Sequence, residues 1–326
     1  MDQKQDERLA RRQAPLTITE TTLTHINLAL YNLHMTAMVV DTFQYSNNAE
    51  SCPERTALMN DNQLGIQTLA QMSGGAAWRL ALAHDHPHHT LLWFTRGQGR
   101  ILLDGRMRGL GTHNAVFVPA GSLFAIESGR QSLGLAAIIP VGTPLRLPDL
   151  PRHLRVRDVH VQAELSALLE AAQREQSQAR PLAQDALEAH VALMSVWLRR
   201  QMTLEEHVPT KRNAAERLSR QFTELVSKHF MSGHTMTFYA QALGVTPTHL
   251  SRAVKGATGR TAAHILTERT VHAGRSLLET TTHPARNIAQ HLGFGSAAYF
   301  TRFMQQHTGY SPSQLRTPAH AARAVA

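Results

Sequence analysis

The sequence predicts an α+β chain. An N-terminal antiparallel β-barrel with a helical hairpin comes first, then an all-α domain in which a long helix joins two helix-turn-helix units. Three observations predict this. One short pattern recurs about fifty residues apart near the C-terminus, as Ala240, Gly244, Leu250, Arg252 and then Ala289, Gly293, Phe300, Arg302. Short apolar or alternating runs separated by turn dipeptides fill residues 76–140. The excess positive charge stands almost wholly in the C-terminal third.

The repeated pattern has a physical reading. An Ala four residues before a Gly lets two helices approach closely. The Gly permits a turn conformation that a Cβ would strain. The later apolar residue packs the second helix onto the first. This is a helix-turn-helix, whose second helix can enter the major groove. Thr258-Gly259-Arg260-Thr261 follows the first unit and Thr308-Gly309-Tyr310-Ser311 the second, so the repeat runs past the motif itself.

These residues carry a resemblance. Ile288-Ala289-Gln290-His291-Leu292-Gly293-Phe294, Ser296, Tyr299-Phe300-Thr301-Arg302-Phe303 and Thr308 to Arg316 are similar to the DNA-binding domain of the AraC/XylS family of bacterial transcription regulators. The first unit matches it through Leu243 to Arg252 and Lys255. The resemblance covers 235–316. It implies an effector-responsive activator with RNA polymerase as a partner. A departure lies at Met304-Gln305-Gln306, where the family carries a basic run, so the second unit lacks a phosphate contact there.

Charge supports the same reading. Of 33 Lys+Arg, 14 stand from Lys211 onward, with only 4 of the 24 Asp+Glu, a balance of +10 there and −1 in the remainder. Release of counterions from phosphates needs such placement, and double-stranded DNA is the partner it points to. Cys52 is the single cysteine, so an intrachain disulfide is excluded and a cytoplasmic location is expected. Met1 to Gln13 is charged and unlike a signal peptide, and the apolar runs are too short for a bilayer, so no membrane is involved.

Along the chain, 1–15 reads as a disordered polar tail and 16–202 as a sensory and dimerisation domain. Within it, 76–140 forms the barrel. Strands are expected at Trp78–Ala83, Thr90–Thr95, Gly99–Leu103, Ala115–Val118, Leu123–Ile126 and Leu133–Ile139, with Asp104-Gly105 as a tight hairpin turn. The segment holding His84-x-His86-x-His88-His89, Gly97-x-Gly99 and Val118-Pro119-Ala120-Gly121 resembles the cupin-like sensory domain common in these regulators. Residues 141–158 read as a connector and about 160–202 as two helices split by Pro181. Residues 203–213 form the linker, 214–318 the DNA-binding domain and 319–326 a tail.

The recognition helices are expected at about 247–257 and 296–307. Their reading faces carry Thr248, His249, Ser251 and Arg252 in the first, and Ser296, Ala297, Ala298, Thr301 and Arg302 in the second. Arg can grip guanine O6 and N7, and Thr or Ala can touch a thymine methyl. Lys255, Arg260 and Arg286 are assigned to phosphate. A connecting helix over about 261–279 would span roughly 28 Å. With the widths of its flanking helices, it can hold two readers ~34 Å apart, one turn of DNA.

The barrel is read as a metal-free effector pocket lined by Trp93, Phe117, Phe124, His86 and His88, binding a small molecule without a cofactor. A metal-dependent cupin oxygenase or isomerase is the alternative, but the carboxylate after His84 and His86 is missing and Phe124 replaces the later ligand. A third reading makes the barrel only a dimerisation module. The stripe of Leu165, Leu168, Leu187, Val191 and Met194 either forms a homodimer contact or packs internally.

Overall fold

The computed structural model of the protein describes residues 63–129, 131–178, 180–204 and 212–317. The predicted tails, the lead-in up to residue 62 and most of the linker lie outside them. All described residues fall in one compact unit, Ala57–Ala326.

The N-terminal half is two antiparallel sheets, and the predicted closed barrel gives way to them. Its strands are β1 (Gly65–Thr68), β2 (His89–Arg96), β3 (Gly99–Leu103), β4 (Arg106–Leu110), β5 (Asn114–Val118), β6 (Phe124–Ser128), β7 (Leu133–Ile139) and β8 (Arg152–Arg155). Five strands lie in the order β1-β7-β2-β5-β8, and three in the order β4-β3-β6. The expected hairpin is present. Asp104 and Gly105 both take positive φ, 55° and 70°, and Leu103 faces Arg106 across a two-residue turn. That geometry matches the twist of the flanking strands.

Two expectations fail locally. Trp78–Ala83 is not a strand: Trp78–Ala81 forms the short helix α2, after α1 (Leu69–Ser73). The supposed connector contains β8, which pairs with β5.

Alternation along the strands sorts side chains into layers. Leu91, Trp93, Ala115, Phe117, Ala137, Ile139 and Leu154 face α3 (Val159–Gln178) and α4 (Ala183–Met202). Leu92, Phe94, Val116 and Ile138 meet Ile101, Leu103, Phe124 and Ile126 of the smaller sheet. The outer face of that smaller sheet carries Leu102 and Ala125, which join the core of the C-terminal helices.

Those helices are α5 (Ala214–His229), α6 (Met236–Ala242), α7 (Pro247–Thr258), α8 (Ala262–Thr280), α9 (Ala285–His291), α10 (Ala297–Thr308) and α11 (Pro312–Leu315). The repeat is capped alike in both copies. Thr246 and Ser296 accept the His249 and Tyr299 amides, and Thr261 and Ser311 accept those of His264 and Gln314. Each Thr-Gly pair closes a helix. Thr258 Oγ1 donates to Val254 O and accepts from Arg260 N, and Thr308 repeats this with Met304 and Tyr310. Gly259 and Gly309 then turn left-handed, at φ 75° and 78°.

The β-half is seated on α5. A Cβ on Gly105 would lie 2.5 Å from Arg220 N, and Ser219 Oγ donates to Gly105 O at 2.7 Å. Only glycine fits this approach. Asp104 pairs with Arg212 and lies 3.6 Å from Arg220, and Arg106 pairs with Glu216.

Candidate nucleic-acid interface

Each helix-turn-helix turns on its glycine, Gly244 at φ 67° and Gly293 at φ 77°. The two differ in surroundings. A Cβ on Gly244 would meet open space, whereas one on Gly293 would come within 2.4 Å of Gly233 N. The second turn therefore packs on the loop after α5. Leu250 and Phe300 are fully buried, as their place in the repeat predicts. α8 runs between the units, and its Gly274 lets Phe300 and Met304 of α10 lie against it.

This architecture presents α7 and α10 to solvent. In α7, Thr248, His249, Arg252 and Lys255 are exposed and Ser251 is half-buried. In α10, Ser296, Ala297, Ala298 and Arg302 are exposed, while Thr301 is half-buried and donates to Ala297 O at 2.9 Å. Arg286 is exposed on α9. Arg252 and Arg302 thus occupy equivalent, accessible places. Met304 is buried, and Phe303 is half-buried against Phe294.

Of Tyr299 and Phe300, either of which the pattern allows in the core, Phe300 is buried and Tyr299 is a surface residue. It is 57% exposed, in the first turn of α10. The signal was available, because Phe300 already fills the position equivalent to Leu250, which turns its neighbour outward.

Arg260 differs from expectation. Its guanidinium lies between Glu268, at 2.5 Å, and Glu127 of β6, rather than facing outward to phosphate. Burial alone would raise the Glu127 carboxyl. Hydrogen bonds from Arg100 and Arg260 and the charge of Arg260 outweigh it and hold Glu127 below the usual carboxylate range. Arg269 likewise pairs with Asp85 at 2.6 Å and covers Phe230. Part of the C-terminal positive charge is therefore neutralised by acids of the β-half.

The predicted pocket residues fall into two groups, with His86, His88 and Phe124 apart from Trp93 and Phe117. Trp93 and Phe117 lie under α3 and α4, where Trp93 Nε1 donates to Ser166 Oγ. Phe124 lies between the sheets, because strand alternation sends it to the other layer. His86 and His88 stack near it, at 4.7 Å between ring centroids. His84 stacks on His272 of α8 at 4.6 Å. Asp85 is held by Arg269, and among the described residues no His, Cys, Asp and Glu side chains converge as a metal site would require.

The helical stripe is also occupied. Leu165, Leu187, Val191 and Met194 are buried against the larger sheet, with Leu168 packed beside them. Internal packing covers this face, so it is not an open dimer contact.

Two helices of matched length and exposure, each set across a shorter helix by a left-handed turn, define a DNA-binding helix-turn-helix pair. Residues 239–317 match the family described as "Helix-turn-helix domain". Over 94 residues the chain is 29% identical to the "Bifunctional transcriptional activator/DNA repair enzyme AdaA" of Bacillus subtilis (strain 168). That match covers 29% of this chain and 44% of AdaA, less than half of the relative's length. The C-terminal domain of AraT, a response regulator from Geobacillus stearothermophilus, is similar at 30% identity, covering 32% of this chain and 87% of that one, with a TM-score of 0.30. Unsaturated fatty acid bound wild-type ToxT from Vibrio cholerae strain SCE256 is similar at 12% identity, covering 77% of this chain and 93% of that one, with a TM-score of 0.37. The C-terminal domain of the chain is a helix-turn-helix domain of the AraC/XylS family.

Among the described residues, no helix is long and apolar enough to cross a membrane.

Proposed function

We propose that the chain is a sequence-specific transcription regulator that reads two successive major grooves of double-stranded DNA with α7 and α10. One observation carries the reading: both second helices of a matched pair expose their N-terminal faces, with Arg252 and Arg302 at equivalent places. The base-reading set is Thr248, His249, Ser251 and Arg252 with Ser296, Ala297, Ala298, Thr301 and Arg302, to which Tyr299 is added. Lys255 and Arg286 anchor phosphate. Because α10 offers two alanines where α7 offers His249 and Lys255, the first unit carries more of the specificity.

The protein acts in the cytoplasm as an effector-responsive activator that meets RNA polymerase at the promoter. The name of AdaA, which includes transcriptional activator, supports activation. The small-molecule effector acts through the β-half, whose seat on α5 and α8 offers the physical link to the DNA readers. If the protein forms homodimers, they use a surface other than the buried stripe of α3 and α4.

Fluorescence anisotropy of the full chain on duplex DNA tests this. Affinity should fall steeply with salt. Arg252→Ala should cost ~1–3 kcal/mol on a preferred site and relax discrimination there, while Lys255→Ala should weaken all sequences about equally. Equal weakening of specific and random DNA by Arg252→Ala would move Arg252 to phosphate anchoring. Failure of the folded protein to bind any duplex at low salt would overturn the reading.

A further inference from the structure

The layer between the two sheets is apolar except at one margin. There the edge strands β4 and β8 turn basic side chains inward. Register fixes the directions, because residues paired across strands share a face. Arg106 faces Leu103 and Arg108 faces Ile101, both of which point into the inter-sheet layer. On the other sheet, His153 faces Val116, which points into the same layer. Arg155 faces Asn114, whose other neighbour is Phe94 of that layer. Three guanidiniums and an imidazole from different sheets thus converge on one margin.

Their partners are unequal. Arg106 is taken by Glu216 of α5. His153 Nε2 donates to Asn114 Oδ1 at 2.6 Å, and burial together with the charges of Arg108 and Arg155 drives it down to about 4, so it stays neutral. Among the described residues no ion pair joins Arg108 or Arg155 to a carboxylate, and the acidic charge that bears on Arg108 is that of Glu216, which Arg106 already engages. Burial, the largest effect, and the charges of Arg106 and Arg155 lower Arg108 against the opposing charge of Glu216. One carboxylate set against three guanidiniums leaves a surplus of positive charge at this margin, felt most at half-buried Arg108, which an anion would offset.

We infer that Arg108 and Arg155 form a binding site for a small oxyanion, a carboxylate or phosphoryl group, at the β4–β8 margin. Their planar forks match either oxyanion with paired N–H donors, and neutral His153, held by Asn114, closes one side of the site. That this is the effector site rests on the regulator reading. The binding itself does not.

The test uses the full chain with two probes, sodium benzoate and sodium phosphate, each against sodium chloride at matched ionic strength. Isothermal titration should show saturable binding of at least one probe. Benzoate alone marks a carboxylate site, and phosphate alone a phosphoryl site. Arg108→Gln and Arg155→Gln should each weaken it about tenfold or more, the loss of a charge-assisted contact. Arg155 is exposed, so its variant carries the test if Arg108→Gln does not fold. Duplex binding is measured on the same samples, which separates failure of this site from failure of the regulator reading. Two results would overturn the inference. One is that neither probe saturates beyond chloride, which leaves the arginines as guards of the strand edges. The other is that both variants bind the probes as tightly as the parent.

Discussion

Lowering the pH from 7.5 to 5.5 should destabilise the protein through its buried histidines. His272 stacks on His84 at the seam between the β-half and α8, and burial, reinforced by Arg269, pulls it down to about 3. His153 is pulled down to about 4. In the unfolded chain both titrate near 6.5. Between these values the unfolded chain binds protons that the folded chain refuses. Stability is therefore full above about 6.5 and is lost as pH falls toward the folded values. At pH 5.5 the loss is RT ln 11, about 1.4 kcal/mol for each, or roughly 3 kcal/mol for the pair. His84 and His86 act in the same sense, both lowered by burial and by neighbouring histidines. Glu268 works against them, since burial raises its carboxyl and the fold gains a proton there as pH falls. Glu127 and Glu216 are held low, so their contributions are lost only below the ordinary carboxylate range, outside this interval. The assay is thermal unfolding at the two pH values, where 3 kcal/mol corresponds to about 4–5 °C for a chain of 326 residues. His272→Gln should remove about 1.4 kcal/mol of the dependence. Equal stability at both pH values, or an undiminished slope in His272→Gln, would refute the reasoning.

Other outcomes follow from single contacts. Gly293→Ala should destabilise more than Gly244→Ala: both impose left-handed strain of about 1–2 kcal/mol, but only the first drives a Cβ into the Gly233 backbone. Chemical denaturation of both variants measures the difference, and equal costs would place the strain in φ alone. Val191→Glu puts a charge into the layer beneath α4 and should unfold or loosen the hairpin without changing a sedimentation-defined oligomer, if one exists; dissociation of a dimer with the fold intact would restore the stripe as a dimer contact. Arg260→Ala leaves Glu127 with Arg100 and Glu268 with His264, and should cost about 1–3 kcal/mol of stability while changing the salt slope of DNA binding little; a slope reduced by about one phosphate with stability unchanged would return Arg260 to the DNA backbone.

The C-terminal half was legible because its signals are local. Ala-x3-Gly spacing, a Thr-Gly closing α7 and α10, and Ser or Thr ahead of α7, α8, α10 and α11 all act within a few residues, and α7, α8 and α10 fall within a residue or so of their expected bounds. The Asp104-Gly105 hairpin was legible for the same reason. β8 was not, because Arg-His-Leu-Arg offers one apolar side chain, and His153 and Arg155 face a margin that the sequence does not show to be charged. Trp78–Ala81 reads as strand by composition, yet Glu279, Arg275 and His272, some two hundred residues away, engage it as a helix. Charge segregation pointed to DNA, but it hid a second use. Arg212, Arg220, Arg260 and Arg269 answer Asp104, Glu127 and Asp85 across the seam, which a count along the chain reads only as surplus. The pocket was assigned by residue type, and strand register then divided it between two layers.

The most direct test of two-groove reading is a footprint. The full chain would be used to select bound duplexes from a random library, and the enriched sequence probed by hydroxyl radicals with the parent protein and with Arg302→Ala. Two protected patches on one face of the duplex, about 10 base pairs apart, are predicted, with Arg302→Ala losing the outer patch and keeping the one read by α7. A single patch in the parent protein, or loss of both patches together in Arg302→Ala, would contradict the claim that α7 and α10 each read a groove.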